Sequence, residues 1–415
     1  MTQSGVNDAE DNKILNVGWC NMDFHPDMGF VEDGVDFTNK DLYKSTSLPF
    51  GQATILPPFS YQSKIFSDLE DEKLWTRNWI AVGFTDEIPN AGDLLPFTVG
   101  HHGLHVQRQE DGSLIGRFNK AQHGGCRAVP LQCQTGKKTK CSFTSCGYSR
   151  DRNVIRVEEI GENTPTMHQY LGLIPERLLP VKVEVFGSII FINLDHECNN
   201  LADEYSAVAK NIELLLNEDF TLQSNEWLEC TSNWKFAGRA FFDGNNICNS
   251  ISNNDDKNIY NCFISPNIST HEVGLKIDDV IEDDMDNLQL CWLFPNLVLI
   301  QHPDFLVSVI LQPTSMGEST LRTSLYTKEN KANSDASHLP TDFQAYIQSV
   351  TSKAQQMQSQ ADELTAPGAP ELKNSMIPIE TNLAGYSFHR YITEKIETEH
   401  EYYWNAPLYS NNIGR

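Results

Sequence analysis

Apolar and polar positions follow two different rhythms along this chain, and the change of rhythm divides it. Residues 61–75 put Ile65, Phe66, Leu69 and Trp75 at helical spacing behind Ser60, a side chain suited to capping. From Ile80 to about Arg156 the runs are short, alternate with period two and are broken by Gly, Pro and the turn pair Asp111-Gly112, which predicts a small all-β domain. Residues 181–194 alternate cleanly and predict strands returning into a second domain. In that domain, 201–216 reads as an amphipathic helix, 227–243 joins a strand to a helix, and 288–308 and 306–327 are β-rich, with turns at Pro295-Asn296 and Pro303-Asp304. Helices at 341–364 and 380–397 close the chain around an Ala/Pro/Gly break at 366–370. Antiparallel strands followed by packed helices predict an α+β layer architecture. Residues 1–55 are rich in Gly, Asp and Asn and weakly periodic, an irregular N-terminal extension with Trp19, Phe24 and Phe30 to pin it to the body.

Composition narrows the function classes. The 415 residues, 40% hydrophobic and 10% aromatic, suit a globular protein of two or three domains. A formal charge of −25, from 31 basic and 56 acidic residues, repels phosphate backbones and anionic membranes, so nucleic-acid and membrane partners are not expected. The acidic N-terminus lacks the positive and apolar regions of a signal peptide, and the apolar run at 189–192 is too short to span a bilayer, so a cytoplasmic protein is expected. In that compartment cysteines are expected as thiols or metal ligands. Four of the ten crowd between Cys126 and Cys146, beside His123.

Several ordered landmarks carry a resemblance. They are Tyr61-Gln62-Ser63-Lys64-Ile65-Phe66, Leu74-Trp75, Trp79-Ile80-Ala81-Val82-Gly83, the run from Glu87 to Asp93, the run from Gly112 to Asn119, and Cys141-Ser142-Phe143. Further on come Asn233-Trp234-Lys235, Arg239, Phe241 and Asp243, and near the end Ile379-Glu380 and Phe388-His389-Arg390-Tyr391. In this order the chain resembles the α subunits of Rieske-type ring-hydroxylating oxygenases, the family that includes choline, glycine betaine and carnitine monooxygenases. The resemblance implies a small all-β Rieske-like domain, with its preceding helix, at 56–175, after the extension at 1–55. A helix-grip catalytic-like domain is implied at 176–415. It also implies trimers, in which an electron passes from a reductase to a [2Fe–2S] cluster and across the protomer boundary to Fe(II), which activates O2.

The ligands depart from that pattern. A Rieske cluster needs two thiolates and two imidazoles, as C-x-H and C-x-x-H from facing loops. Those positions fall on Ala121, His123, Cys141 and Thr144, leaving one sulfur and one nitrogen; anchored instead on Gly147-Tyr148, the second pair falls on Phe143 and Cys146. The family's second motif reads N-W-K-x-x-x-E-N-F-x-(D/E)-x-Y-H-x-x-x-x-H and supplies two of the three ligands of a 2-His-1-carboxylate iron site. Its histidines fall on Asn246 and Ile251, while Asp243 keeps the place of the acid that links the two metal centres between protomers. The third ligand is expected within 348–364, with Asp362 as candidate and Lys353 or Ala354 as alternative registers.

The expectation is therefore a chain with neither [2Fe–2S] nor mononuclear iron. It would act as a structural or regulatory partner, in a homotrimer or with an active α subunit, or bind a quaternary amine or aromatic molecule near Trp227, Trp234 and Trp292. The alternative is an oxidoreductase with a replacement metal, zinc being the best fit to His123, Cys126, Cys133, Cys141 and Cys146. The same cysteines also read as buried thiols or as a redox-controlled pair.

Overall fold

The computed structural model describes residues 35–100, 102–118, 154, 156, 180–205, 220–242, 259–264, 288–301, 305–328, 341–366 and 373–397. Their strands form two six-stranded sheets. The first contains β1 (Ile80–Phe84), β2 (Leu94–Val99), β3 (His102–Arg108), β4 (Leu114–Phe118), β5 (Pro180–Phe186) and β6 (Ile189–Asn193), in the order β1-β6-β5-β4-β3-β2. The second contains β7 (Phe220–Cys230), β8 (Ile259–Ile264), β9 (Leu288–Leu293), β10 (Leu297–Gln301), β11 (Phe305–Pro313) and β12 (Ser319–Lys328), in the order β7-β12-β11-β10-β9-β8. All pairings are antiparallel except β8 with β9. The mixed helix and antiparallel-sheet architecture agrees with the α+β expectation.

One boundary moves. Strands β5 and β6 complete the first sheet, β6 pairing with β1 and β5 with β4. A second domain starting at 176 would cut that sheet, so the first domain runs past Asn193. The alternation at 181–194 predicts the strands correctly, but periodicity does not say which sheet a strand joins.

The first predicted helix is also shorter than its pattern. A 3-10 turn spans Pro58–Tyr61, the α-helix α1 spans Lys64–Glu70, and a π-helical turn follows over Asp71–Trp75. The cap is Ser63, whose hydroxyl accepts from the Phe66 N–H at 3.3 Å, and not Ser60. Pro57 and Pro58 hold the preceding segment out of a regular helix. Of the helix expected at 201–216, the described residues contain one turn, Leu201–Glu204. The described part of the extension is irregular yet docked: Phe37 and Tyr43 are buried, and the Tyr43 hydroxyl donates to the Phe37 carbonyl at 2.8 Å.

Three more helices pack on the second sheet and on each other: α2 (Trp234–Phe241), α3 (Thr341–Thr365) and α4 (Leu383–Glu397). Every residue of α2 is buried, which explains the small side chains in its middle. At Gly238 a Cβ would collide with the Trp292 ring. Trp292 stacks on Phe388 of α4 at 4.0 Å between ring centroids, and Trp234 meets Phe388 edge-on at 5.5 Å.

Two side chains clamp the sheets together. Asn296, in the turn between β9 and β10, accepts from the Ala81 N–H and donates to the Ala81 carbonyl, at 3.0 and 2.8 Å. Arg322 of β12 donates to the Val82 carbonyl at 2.7 Å and to Glu87 at 2.5 Å. Among the described residues no helix is long and apolar enough to cross a membrane.

Candidate functional site

The site is organised around α2, because a helix buried on all sides must satisfy its polar groups inside the protein. Asn233 caps it, its side-chain Oδ1 accepting from the Lys235 N–H at 3.1 Å. Its side-chain amide donates to the Tyr61 and Met316 carbonyls at 3.1 and 2.7 Å, and its own N–H donates to Gln358 Oε1 at 2.9 Å. One residue thereby ties the helix to the segment before α1, to the β11–β12 turn and to α3.

Lys235 is fully buried, and its Nζ donates to Glu70 Oε1 at 2.7 Å. The ammonium lies about 5 Å from the ring centroids of Tyr61, Phe66 and Trp234. Burial pulls its pKa down, and the Glu70 carboxylate opposes that.

Arg239 stands where the resembling motif carries an acid. Its guanidinium holds Glu380 by two edges, Nε to Oε2 at 2.6 Å and Nη2 to Oε1 at 2.7 Å, a bidentate pair inside the protein. His389 of α4 brings Nδ1 to 3.2 Å from Glu380 Oε2, and its Nε2 lies 3.3 Å from the Tyr61 hydroxyl. Burial alone would raise the Glu380 pKa, but hydrogen bonds from His389 and Arg239 outweigh it and hold the carboxyl at about 2. Burial lowers the His389 pKa against the pull of Glu380. Gly385 completes the cradle, since a Cβ there would press on Glu380 Oε2 at 2.8 Å.

Between α2, α3 and the segment around Ile55 lies a cleft of about 260 Å³. Its walls include Phe236 and Arg239 from α2, Lys353, Met357 and Ala361 from α3, and Pro378. The aromatic residues expected near a ligand are elsewhere: Trp234 and Trp292 are core residues, and Trp227 faces Arg322 at 4.8 Å on the sheet. The apolar runs around Trp234 and Trp292 give no sequence signal to separate packing from lining.

The ends of α3 locate Asp362. The Tyr346 hydroxyl donates to the Phe241 carbonyl at 2.9 Å, at the end of α2 that leads toward Asp243 and Asn246. Asp362 lies sixteen residues further on, about 24 Å along the helix axis, at the Asn233 end. There its carboxylate accepts from the side-chain amides of Gln62 and Gln358, the latter at 2.8 Å. Lys353 lines the cleft, and Ala354 is buried.

The other predicted site residues lie outside the described residues: Ala121, His123, Cys126, Cys133, Cys141, Thr144 and Cys146 of the loops, and Asp243, Asn246 and Ile251 after α2. Among the described residues no group of three or more His, Cys, Asp or Glu is placed to hold a metal ion. The readable test of fit is the donor set itself. Neither the alanine at 121 nor the threonine at 144 supplies a thiolate or imidazole, and an amide at 246 and a sec-butyl group at 251 are not the imidazoles that the iron site requires.

Among the described residues, His102 and His105 lie on strand β3. His102 Nε2 is 3.1 Å from Asp71 Oδ2, and His105 is fully buried. The polar pairs of Arg239 with Glu380 and Lys235 with Glu70 were not foreseen. The one signal was an arginine in the motif's acid position, because a cation on a buried helix demands a buried anion elsewhere.

No family model matches the chain. The biphenyl 2,3-dioxygenase α subunit of Rhodococcus jostii (strain RHA1) is 28% identical over 199 residues, 45% of this chain and 40% of the relative. The chloroplastic choline monooxygenase of Atriplex hortensis is 24% identical over 205 residues, 46% of this chain and 43% of that protein. The matched region thus spans less than half the length of these curated relatives. The fold extends further: the quaternary ammonium Rieske monooxygenase CntA, in complex with L-carnitine, superposes with a TM-score of 0.54 over 87% of this chain and 99% of that one, at 15% identity. The chain is a homologue of Rieske-type ring-hydroxylating oxygenase α subunits and has their fold.

Proposed function

We propose that this chain is an oxygenase α-subunit-like protein without either iron centre, acting as a structural or regulatory subunit or as a small-molecule binder. One pattern supports this reading: the scaffold residues of α2 have complete settings, while the residues that the sequence carries at the motif's ligand positions are not the donors of the motif. Asn233 and Lys235 have complete hydrogen-bonded settings, and Asp243 is retained, yet Ala121, Thr144, Asn246 and Ile251 stand where ligands are needed. A cation at position 239 points the same way, because a buried guanidinium and its counter-carboxylate are committed to each other instead of to a metal. Function resides in such sites and not in the fold that carries them.

Assembly follows from what is kept. Electron transfer in the monooxygenase CntA is inter-subunit, and Asp243 occupies the motif position of the acid at that boundary. A homotrimer, or a mixed oligomer with an active α subunit, gives that acid a use independent of iron. Light scattering and co-purification test it: a trimer or a captured oxygenase component is expected, and a monomer that captures none removes the subunit role and leaves small-molecule binding.

The cysteine cluster favours one second reading, an oxidoreductase with a replacement metal held by thiolates of Cys126, Cys133, Cys141 and Cys146 with His123. Stoichiometric zinc, lost in Cys141→Ser or Cys146→Ser, is its signature. Hydroxylation by the unmodified protein supplied with a reductase contradicts the first reading outright. Restoring the cluster positions by Ala121→Cys with Thr144→His is expected to leave hydroxylation absent, because Asn246 and Ile251 still deprive the second centre of its imidazoles.

A further inference from the structure

We propose that the solvent face of α3 is a self-association surface that takes a second copy of this chain. From Ala345 to Gln360 every exposed residue is Ala, Ser or Gln, and Lys353, the one charged residue in that stretch, is half-buried. A solvated surface normally carries about 25–35% charged residues, and this chain has 56 acidic and 31 basic residues overall. The charge-free face spans sixteen residues, about 24 Å of helix. Charge is scarce at the centres of protein interfaces, because burying an ion costs more than burying a neutral group that finds a hydrogen bond.

The chemistry of the face selects its occupant. In a two-fold contact the same patch meets itself, so each side chain must suit its own copy. Two copies of a chain with a formal charge of −25 repel wherever acidic surfaces meet, and this face brings no carboxylate to the contact. Gln amides both donate and accept, so Gln348 and Gln355 of one copy are complementary to the same residues of the other. A basic or an acidic partner would find no counter-charge here. Ala345, Gln348, Ser352, Gln355 and Ser359 recur at steps of three and four, the spacing at which one helix packs along another. Apolar surface adjoins the face. Gln356 and Gln360 belong both to it and to the α2–α3 cleft, whose walls include Phe236, Met357, Leu364 and Pro378, and Ile379 beyond Pro378 is 54% exposed. A contact centred on one helix falls short of the ~1,600 Å² of a standard interface, so the association is weak and reversible. It is additional to the trimer or mixed assembly proposed above, which it would double.

Sedimentation velocity of the full chain over a micromolar concentration series, with Ser352→Glu and Ser352→Lys, tests this. Ser352 is exposed and lies midway along the face, so a two-fold axis through the contact brings its two copies close. A concentration-dependent doubling of mass is expected for the unmodified protein, weakened at least about tenfold by either substitution and restored when the Glu and Lys variants are mixed. Restoration excludes misfolding as the cause of the loss. No doubling at any concentration, doubling indifferent to both substitutions, or a mixture that does not re-associate overturns the proposal. Association only with an added oxygenase α subunit, lost in both variants, assigns the face to that partner and also overturns it. The result is separable from the subunit reading. A trimer that does not double contradicts this inference alone, and a dimer without trimers or a captured partner contradicts that reading alone.

Discussion

Arg239 and Glu380 form a bidentate ion pair that is almost wholly buried, 6% and 0% exposed, between the helix of the second motif and the segment leading into the last helix. The two residues are 141 positions apart, so the pair fixes a long-range contact that no local pattern encodes. It also sets His389, whose imidazole lies between Glu380 and the Tyr61 hydroxyl.

Breaking this pair from one side leaves a charge buried without its counter-ion, which typically costs about 3–5 kcal/mol. Arg239→Met and Glu380→Gln are each expected to lower stability by roughly that amount, while the double substitution recovers much of the loss. A double-mutant cycle by chemical denaturation measures it, and additive losses would show that the two charges do not depend on each other.

Acid should destabilise the fold in two stages. Burial, with Arg117 adding to it, pushes the His105 imidazole down to about 3 from an ordinary 6.5. The unfolded chain then takes up a proton below 6.5 that the folded chain refuses, so stability falls as pH drops from 6.5 toward 3. His389, lowered in the same direction, adds to this slope. Glu380, held at about 2 against an ordinary 4.5, contributes stability that is present above 4.5 and lost as pH falls to 2, on the order of 3 kcal/mol. Urea denaturation at pH 7 and pH 5 should show a clear loss at pH 5, reduced in His105→Asn; equal stability at both would refute the assignment.

Asn233 serves three elements at once, so Asn233→Ala should cost more than an ordinary helix cap, which is worth about 0.5–2 kcal/mol. Buried Tyr61 and Met316 carbonyls would also lose their donor. Asn233→Asp, which keeps the cap at Lys235 but cannot donate, separates the two contributions by thermal denaturation. If Asp restores full stability, the links to Tyr61 and Met316 carry no weight.

Much of this architecture was legible in the sequence, for a physical reason. The short apolar runs at 80–118 and 181–194 mark strands whichever sheet they join, and β1, β2 and β6 are buried along their whole length. Which sheet the strands at 180–193 join is set by pairing partners far along the chain, and there the expected boundary at 176 failed. The helix at 61–75 misled because its apolar spacing continues through two non-α turns that Pro57 and Pro58 and the packing of Trp75 impose. At the site, the motif order of Asn233, Trp234 and Lys235 located the helix α2. Their partners Gln358 and Glu70, and Glu380, the partner of Arg239, lie on three other segments, and only the folded chain brings them together.

The most direct test of the central claim is a quantitative determination of iron and acid-labile sulfide in the purified, untagged protein, with EPR after reduction. Sub-stoichiometric iron, no labile sulfide and no Rieske-type signal are expected, because Ala121, Thr144, Asn246 and Ile251 cannot provide the ligands that the two centres require. Close to two irons and two sulfides per chain with a Rieske-type signal, or a stoichiometric mononuclear iron, would contradict it.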